Sequence, residues 1–196
     1  MTGIIILAAG ASSRLGNAKQ ALNYQGQTLL QRAVQTALDS DGEAVAVVLG
    51  ANAEILQTTI INQPVHVFFN ADWKEGMASS ICCGINELQK AAPHLTSAIL
   101  MLCDQPYVDT ALVNQLIQKA SANKIVASAY NGTVGAPALF DCSFFPQLLS
   151  LTGHEGAKRI LLDHLDSVIS IPFPLGAIDI DTIADYDSLN SQTENL

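Results

Sequence analysis

The opening stretch Ile4 to Leu22, IIILAAGASSRLGNAKQAL, constrains the fold more than any other part of the chain. Three isoleucines and Leu7 form an apolar run that small residues end at once, the pattern of a buried strand feeding a tight backbone loop. That loop holds Gly10 and Gly16, then Arg14 and Lys19. Glycines let backbone N–H groups approach a ligand, and the cations supply the charge that a polyphosphate requires, so a phosphate cradle is expected here. Two familiar cradles fail. A P-loop needs four residues between its glycines and a Gly-Lys pair, whereas five separate Gly10 from Gly16, and Asn17 and Ala18 precede Lys19. A dinucleotide fingerprint needs an acid ending the second strand, but AVAVVLGAN ends at Gly50, Ala51 and Asn52.

The rest of the chain alternates in kind. Thr28 to Leu38 carries Leu29, Leu30, Ala33, Val34, Ala37 and Leu38 at helical spacing. Ala44 to Leu49 reads as a strand, Ala53 to Ile61 as a helix and Val65 to Phe69 as a strand; an amphipathic helix then carries Ile81, Ile85 and Leu88. SAILMLC, Ser97 to Cys103, is a strand ending in Asp104, Gln105 and Pro106. Ala111 to Ala120 follows as a helix, with strands at Ile125 to Ala129 and Val134 to Phe140; Pro137 predicts an edge or crossing position for the latter. Ala177 to Leu189 predicts a strand with Ile178 and Ile180 on one face and Asp179 and Asp181 on the other, running into a helix capped by Thr182 and Asp185. This rhythm means a mostly parallel α/β sheet, whose ligands bind beyond the carboxyl ends of its strands.

Composition narrows the function. With 196 residues, 49% hydrophobic and 14% charged, the chain suits one domain with a sheet covered on both faces. A net charge of −9 and only nine Lys and Arg argue against nucleic acid as a partner. No run approaches a membrane span, and no leader segment precedes the motif, so a cytoplasmic location is expected. Cys82, Cys83, Cys103 and Cys142 show no C-x-x-C pair and read as reduced, small core residues.

Leu7, Ala8, Ala9, Gly10, Ser12, Arg14, Gly16 and Lys19 resemble the signature L-A-A-G-x-S-x-R-x-G-x-x-K of the molybdenum-cofactor-type (MobA-like) nucleotidyltransferases. LCDQP at Asp104 resembles the family's metal-binding L-x-D-Q-P, GAPALF at Gly135 and Pro137 its acceptor-side G-x-P-x-L-F, and DIDTIAD its D-I-D-T-x-x-D. Gly76, Ser79 and Ser80 match its G-x-x-S-S segment at the base and ribose, although serines at a helix start also cap N–H groups. Asp104 has a capping alternative too, which Asp109 fills equally well. The chain departs from the family at TGHEGAK, where His154 replaces an Asp and Lys158 an Arg; Lys158 keeps the charge without the bidentate fork, and His154 is assigned no catalytic role.

The resemblance implies a three-layer α/β/α Rossmann-like nucleotidyltransferase fold over residues 1–196, with 1–108 the nucleotide-binding half and 109–190 the acceptor-binding half carrying a second metal ligand. It implies catalysis by Arg14, Lys19 and Asp104, and nucleotide binding by Leu7 to Gly10, Ser12, Arg14, Lys19, Ser79, Ser80 and Asp104. Gly135, Pro137 and Lys158 would bind the acceptor, and Asp104 with Asp181, supported by Asp179, would hold Mg²⁺. Lys19-Gln20 resembles the cytidylyltransferases, so the expected reaction is CMP transfer from CTP to molybdopterin cofactor, with a molybdoenzyme or its chaperone as a further partner. Alternatives are guanylyl transfer, nucleotidyl transfer to a sugar or polyol phosphate, and a non-catalytic cofactor carrier.

Overall fold

The computed structural model describes residues 1–12 and 18–193, without the side chains of 192 and 193. Strand β1 (Thr2–Ala8) leads, through the loop and a 3-10 turn at Lys19–Ala21, into a small hairpin of β2 (Asn23–Tyr24) and β3 (Gln27–Thr28). Helix α1 (Leu29–Leu38) begins at a reciprocal cap: the Gln31 amide donates to the Thr28 hydroxyl (3.1 Å), and the Thr28 amide to the Gln31 side chain (2.9 Å). There follow β4 (Ala44–Leu49), α2 (Ala53–Ile60), β5 (His66–Phe69), α3 (Met77–Ala91), β6 (Ser97–Leu102) and α4 (Thr110–Gln118). The second half comprises β7 (Ile125–Tyr130), β8 (Thr133–Asp141), α5 (Phe145–Leu149), α6 (Lys158–Asp163), β9 (Val168–Pro172) and α7 (Ile183–Thr193).

Among the described residues the main sheet has seven strands in the order β5-β4-β1-β6-β8-β7-β9. β1 lies at its heart, parallel to both β4 and β6, and its alternating side chains build two cores. Ile4 and Ile6 pack with Leu30 and Val34 of α1, Leu56 of α2 and Leu116 of α4; Ile5 and Leu7 pack with Ile81 and Ile85 of α3, Leu148 of α5 and Leu161 of α6. Ile4, Ile5 and Ile6 are completely buried, which is why the run is continuously apolar rather than alternating. The result is the expected three-layer, mostly parallel architecture, the Rossmann-like nucleotidyltransferase fold.

The chain runs outward from β1 to β4 and β5, then returns to the other side of β1 as β6. The crevice beyond the carboxyl ends of β1 and β6 is therefore the point where strand order reverses, the usual ligand position in such sheets.

Three expectations are corrected. β8 is not an edge strand: it is interior, antiparallel to β6 and β7. Pro137 is tolerated there because the register with β7 shifts between Ala127 and Ser128, and pairing with β6 stops at Ala138, so no ladder hydrogen bond is asked of the proline. The segment from Ile178 to Asp181 is not a strand; it crosses the end of β6, tied by the Ile180 amide to the Asp104 carbonyl (3.0 Å), with the Ile180 side chain buried beside Tyr24, Leu29 and Leu189. The cysteines are not all core residues, since Cys103 is buried, Cys82 and Cys83 are half-buried and Cys142 is exposed. All four are free thiols. The sequence reading left β9 unassigned, although VISIP is a five-residue apolar segment that completes the sheet beside β7.

Candidate active site

A cleft of about 550 Å³ opens at the strand-order reversal, lined by Leu7, Ala9 and Gly10 from the end of β1 and by Leu102, Cys103 and Asp104 from the end of β6. Lys19 reaches into it. Its Nζ donates to Asp104 Oδ2 (2.5 Å) and to Asp181 Oδ1 (2.9 Å), so residues from the beginning, middle and end of the chain meet at one ammonium group. Burial alone would lower the Lys19 pKa, but the charge and hydrogen bond of Asp104, then those of Asp181, hold it well above the ordinary lysine range.

Asp104 keeps one carboxylate oxygen in reserve. Oδ1 is buried and has no hydrogen-bond partner among the described residues, a costly state for a carboxylate oxygen unless a ligand fills it. Helix capping does not explain it, because the Asp109 side chain accepts from the Leu112 amide (2.8 Å) and caps α4. Asp179 stands nearby. Burial, then the charges of Asp104 and Asp181, push its carboxyl above the usual carboxylate range. These are hard oxygen donors suited to a small divalent cation. Among the described residues no three His, Cys, Asp or Glu form a closed metal cage, so a cation here would depend on one or two carboxylates with phosphate and water.

The cradle is stitched together by Gln20, whose part the sequence reading did not see beyond its place beside Lys19. Gln20 is buried; its Nε2 donates to the carbonyls of Ala8 (3.2 Å) and Gly10 (2.8 Å), and its Oε1 accepts from the Ser12 hydroxyl (3.2 Å). Ser12, in the left-handed region at φ 53°, also accepts from the Lys19 amide (3.0 Å). Ser12 therefore binds the loop to itself. Arg14 and Gly16 lie outside the described residues. A Cβ at Gly10 would meet nothing within 4 Å, so among the described residues packing does not demand a glycine there.

The serines of α3 are placed differently from each other. Asn70, itself buried, donates through Nδ2 to Ser79 (2.9 Å) and Ser80 (3.0 Å), and Ser79 donates toward the carbonyls of Gly76 and Asp72 (2.9 Å each). Neither serine caps the helix. Ser80 lines the cleft, whereas Ser79 faces a neighbouring depression with Asp72 and Cys83. The cleft also has walls that the sequence reading did not assign: Trp73, Lys74 with its Nζ 5.5 Å from the Trp73 ring centroid, and His154.

His154 arrives there through Gly76. At φ 116° this glycine lies so close to the Gly153–His154 backbone that any Cβ would collide with the Gly153 carbonyl oxygen, which also accepts from the Ala78 amide (3.2 Å). Gly135 and Lys158 line a smaller cavity that shares Leu7, Met77 and Leu102 with the cleft. Pro137 is buried in the sheet, its carbonyl accepting from the Ser128 hydroxyl (2.8 Å). Cys103, although at the cleft, is no nucleophile: burial first, then Asp104, pushes its thiol up to about 12.

The cleft thus joins the end of β1, a carboxylate with an unused oxygen and a half-buried lysine, and the model of the MobA-like NTP transferase domain matches residues 4–168. The chain belongs to that family. This MobA-like protein is 33% identical over 171 residues to nicotine blue oxidoreductase of Paenarthrobacter nicotinovorans, covering 83% of this chain and 81% of that one. It is 25% identical over 185 residues to the molybdenum cofactor cytidylyltransferase of Escherichia coli strain K12, covering 93% and 92%. Two crystal structures of Rv0371c from Mycobacterium tuberculosis H37Rv, the second a complex with manganese, match with TM-scores of 0.84 and 0.79 at 29% and 26% identity, each over 96% of both chains. The MobA-like chain is a nucleotidyltransferase. Among its described residues no helix is long and apolar enough to cross a membrane.

Proposed function

We propose that this nucleotidyltransferase moves CMP from CTP to the terminal phosphate of molybdopterin cofactor, releasing pyrophosphate, with Mg²⁺ as its metal and the cytoplasm as its compartment. The observation that carries this reading is Asp104: a strand-end carboxylate with one buried oxygen unused and the other shared with Lys19 and Asp181. The manganese complex of Rv0371c supports a divalent ion, and the similarity to the Escherichia coli cytidylyltransferase supports the choice of CTP and acceptor. In this reading residues 1–108 hold the nucleotide, and 109–190 hold the acceptor and contribute Asp181.

Asp104 and Asp181, with Asp179 beside them, would hold the metal, which when bound neutralises charge on the triphosphate and on the departing pyrophosphate. An acceptor phosphate oxygen forms a bond to the α-phosphorus as the bond from that phosphorus to the pyrophosphate oxygen breaks. No proton need be taken from an acceptor that is already a phosphate. The amides from Ala8 to Ser12 orient the triphosphate, and the Gln20 bonds keep them in place before substrate arrives. Lys19 is the counterion of both carboxylates and, with Arg14, would face the leaving pyrophosphate when nucleotide is bound.

The test is incubation of the purified protein with Mg²⁺, molybdenum cofactor and each of CTP, GTP and ATP in turn, measuring pyrophosphate release and product mass. Release with CTP and a cytosine dinucleotide product is expected. Release with GTP instead would move the base assignment. Silence with all three, while nucleotide still raises the melting temperature, would favour a carrier.

A further inference from the structure

Strand β5 forms one outer edge of the main sheet, with β4 on its inner side and, among the described residues, no strand on its outer side. The Asn70 amide donates inward to the Leu49 carbonyl (2.8 Å). Strand alternation therefore turns the backbone groups of His66 and Phe68 toward β4 as well, and those of Val67 and Phe69 outward. An open row of this kind is a template for another strand, which chains usually guard with charge, proline or a bulge. The opposite edge is guarded: β9 ends in Pro172, and Asp163 and Asp166 precede it. The β5 edge is not. From Ile55 to Ala71 the chain holds no Asp, Glu, Lys or Arg, Pro64 lies outside the strand, and the pairing with β4 runs without a register shift.

The side chains at this edge are apolar too. Register with Val47 and Leu49 puts Val67 and Phe69 on the sheet face that α2 covers. Phe69 and Ile55 of α2 are each 62% exposed, and Ile61, just beyond that helix, is 70% exposed. On the other face His66 stacks on Phe68, with ring centroids 6.1 Å apart.

Two features favour a second copy as the occupant. In a chain of net charge −9, copies repel wherever acidic surfaces meet, so they approach most easily along an edge without charge, where a basic partner would gain nothing. The edge is also self-complementary. With a two-fold axis at Phe68, Val67 of one copy stands opposite Phe69 of the other, and the two exchange N–H and C=O bonds; symmetry repeats the pair, so every outward backbone group of both residues is used. The two Phe68 rings then meet across the axis as an aromatic cross-strand pair. An axis at Val67 would instead call on the Val65 amide, which already donates to the Gln63 carbonyl (2.8 Å).

We propose that β5 pairs antiparallel with β5 of a second copy of this chain, joining the two main sheets into one. A four-residue ladder is marginal by itself, so Ile55, Ile61 and Phe69 supply the apolar area that holds the copies together. The cleft lies two strands inward, at the ends of β1 and β6, and stays open in the pair, which makes the dimer independent of the transferase reading.

The test is sedimentation of the full chain over a concentration series reaching about 100 μM, with amide hydrogen exchange followed across the same series. Twice the monomer mass is expected at the upper end, with dissociation on dilution. Exchange should slow at Val67 and Phe69 as the dimer forms, whereas His66 and Phe68, already bonded to β4, should change little. Phe69→Lys, which sets a cation against Val67 of the second copy, should weaken the dimer about tenfold or more. Val67→Pro deletes one outward amide and spares the ladder with β4; it should weaken the dimer as well, and serves if Phe69→Lys fails to fold. A chain that stays monomeric at the upper concentration overturns the proposal and leaves the edge to a strand from another protein. A dimer unmoved by both substitutions, or one that forms without protecting the Val67 and Phe69 amides, overturns it too.

Discussion

At the scale of single residues, the site depends on atoms whose partners are missing or unexpectedly close. Gly10 has neither a left-handed backbone nor a packing neighbour among the described residues, and the proposed function gives it a ligand to accommodate. Gly10→Ala should therefore leave the melting temperature within about 0.5 kcal/mol equivalent of the parent, as for an unconstrained surface substitution, while abolishing nucleotide-dependent stabilisation. Equal loss of both in a thermal-shift experiment would assign Gly10 to the fold instead. The cysteines separate by environment. A thiol reagent at pH 8 should modify exposed Cys142 readily, whereas Cys103, with its pKa pushed up to about 12, stays protonated and reacts only on unfolding. Lys19 and Asp104 were legible from the signature, but their mutual contact was not, because sequence spacing of 85 residues carries no distance.

At the scale of elements, local chemistry accounts well for β1, β4, α1 and α3, whose apolar patterns match the faces they bury. It accounts less well for β8 and for the segment before α7. Pro137 marked a departure from regular pairing, but it could not reveal that the departure is a register shift inside the sheet rather than an edge. The alternation of Ile178 and Ile180 with Asp179 and Asp181 was real for Ile180, yet among the described residues no strand pairs with this segment, and Ile178 remains partly exposed. The cap did form: the Asp185 carboxylate accepts from the amide (2.7 Å) and hydroxyl (2.8 Å) of Thr182, whose hydroxyl in turn accepts from the Asp185 amide (3.2 Å). The joint between α3 and the Thr152–Gly156 loop is set by backbone alone. Gly76→Ala should cost about 1–3 kcal/mol through the strained φ and the contact with Gly153, lowering the urea midpoint with little change in m. An unchanged midpoint would mean that the loop moves aside, in which case His154 should also leave the cleft.

At the scale of the whole molecule, Lys19 joins segments from near the two ends of the chain. Lys19 and Asp181 are 162 residues apart and 2.9 Å from each other. A double-mutant cycle with Lys19→Met and Asp181→Asn should show a coupling of about 0.5–3 kcal/mol in unfolding free energy, measured without metal. Additive effects would mean that the contact contributes nothing to holding the segment before α7 against the end of β6. What the residues alone determined was the architecture and the family: apolar runs alternating with helical stripes lead to a mostly parallel sheet, and the glycine-rich, cationic loop with strand-end aspartates carries the resemblance to the MobA-like nucleotidyltransferases. What only the folded chain decided was the set of partners: Gln20 holding the loop, Lys19 lying between two carboxylates, and His154 and Trp73 entering the cleft. The division has a physical cause. Burial periodicity and backbone conformation are local properties of a few consecutive residues, whereas charge pairing, unsatisfied atoms and empty volume exist only once distant segments share one space.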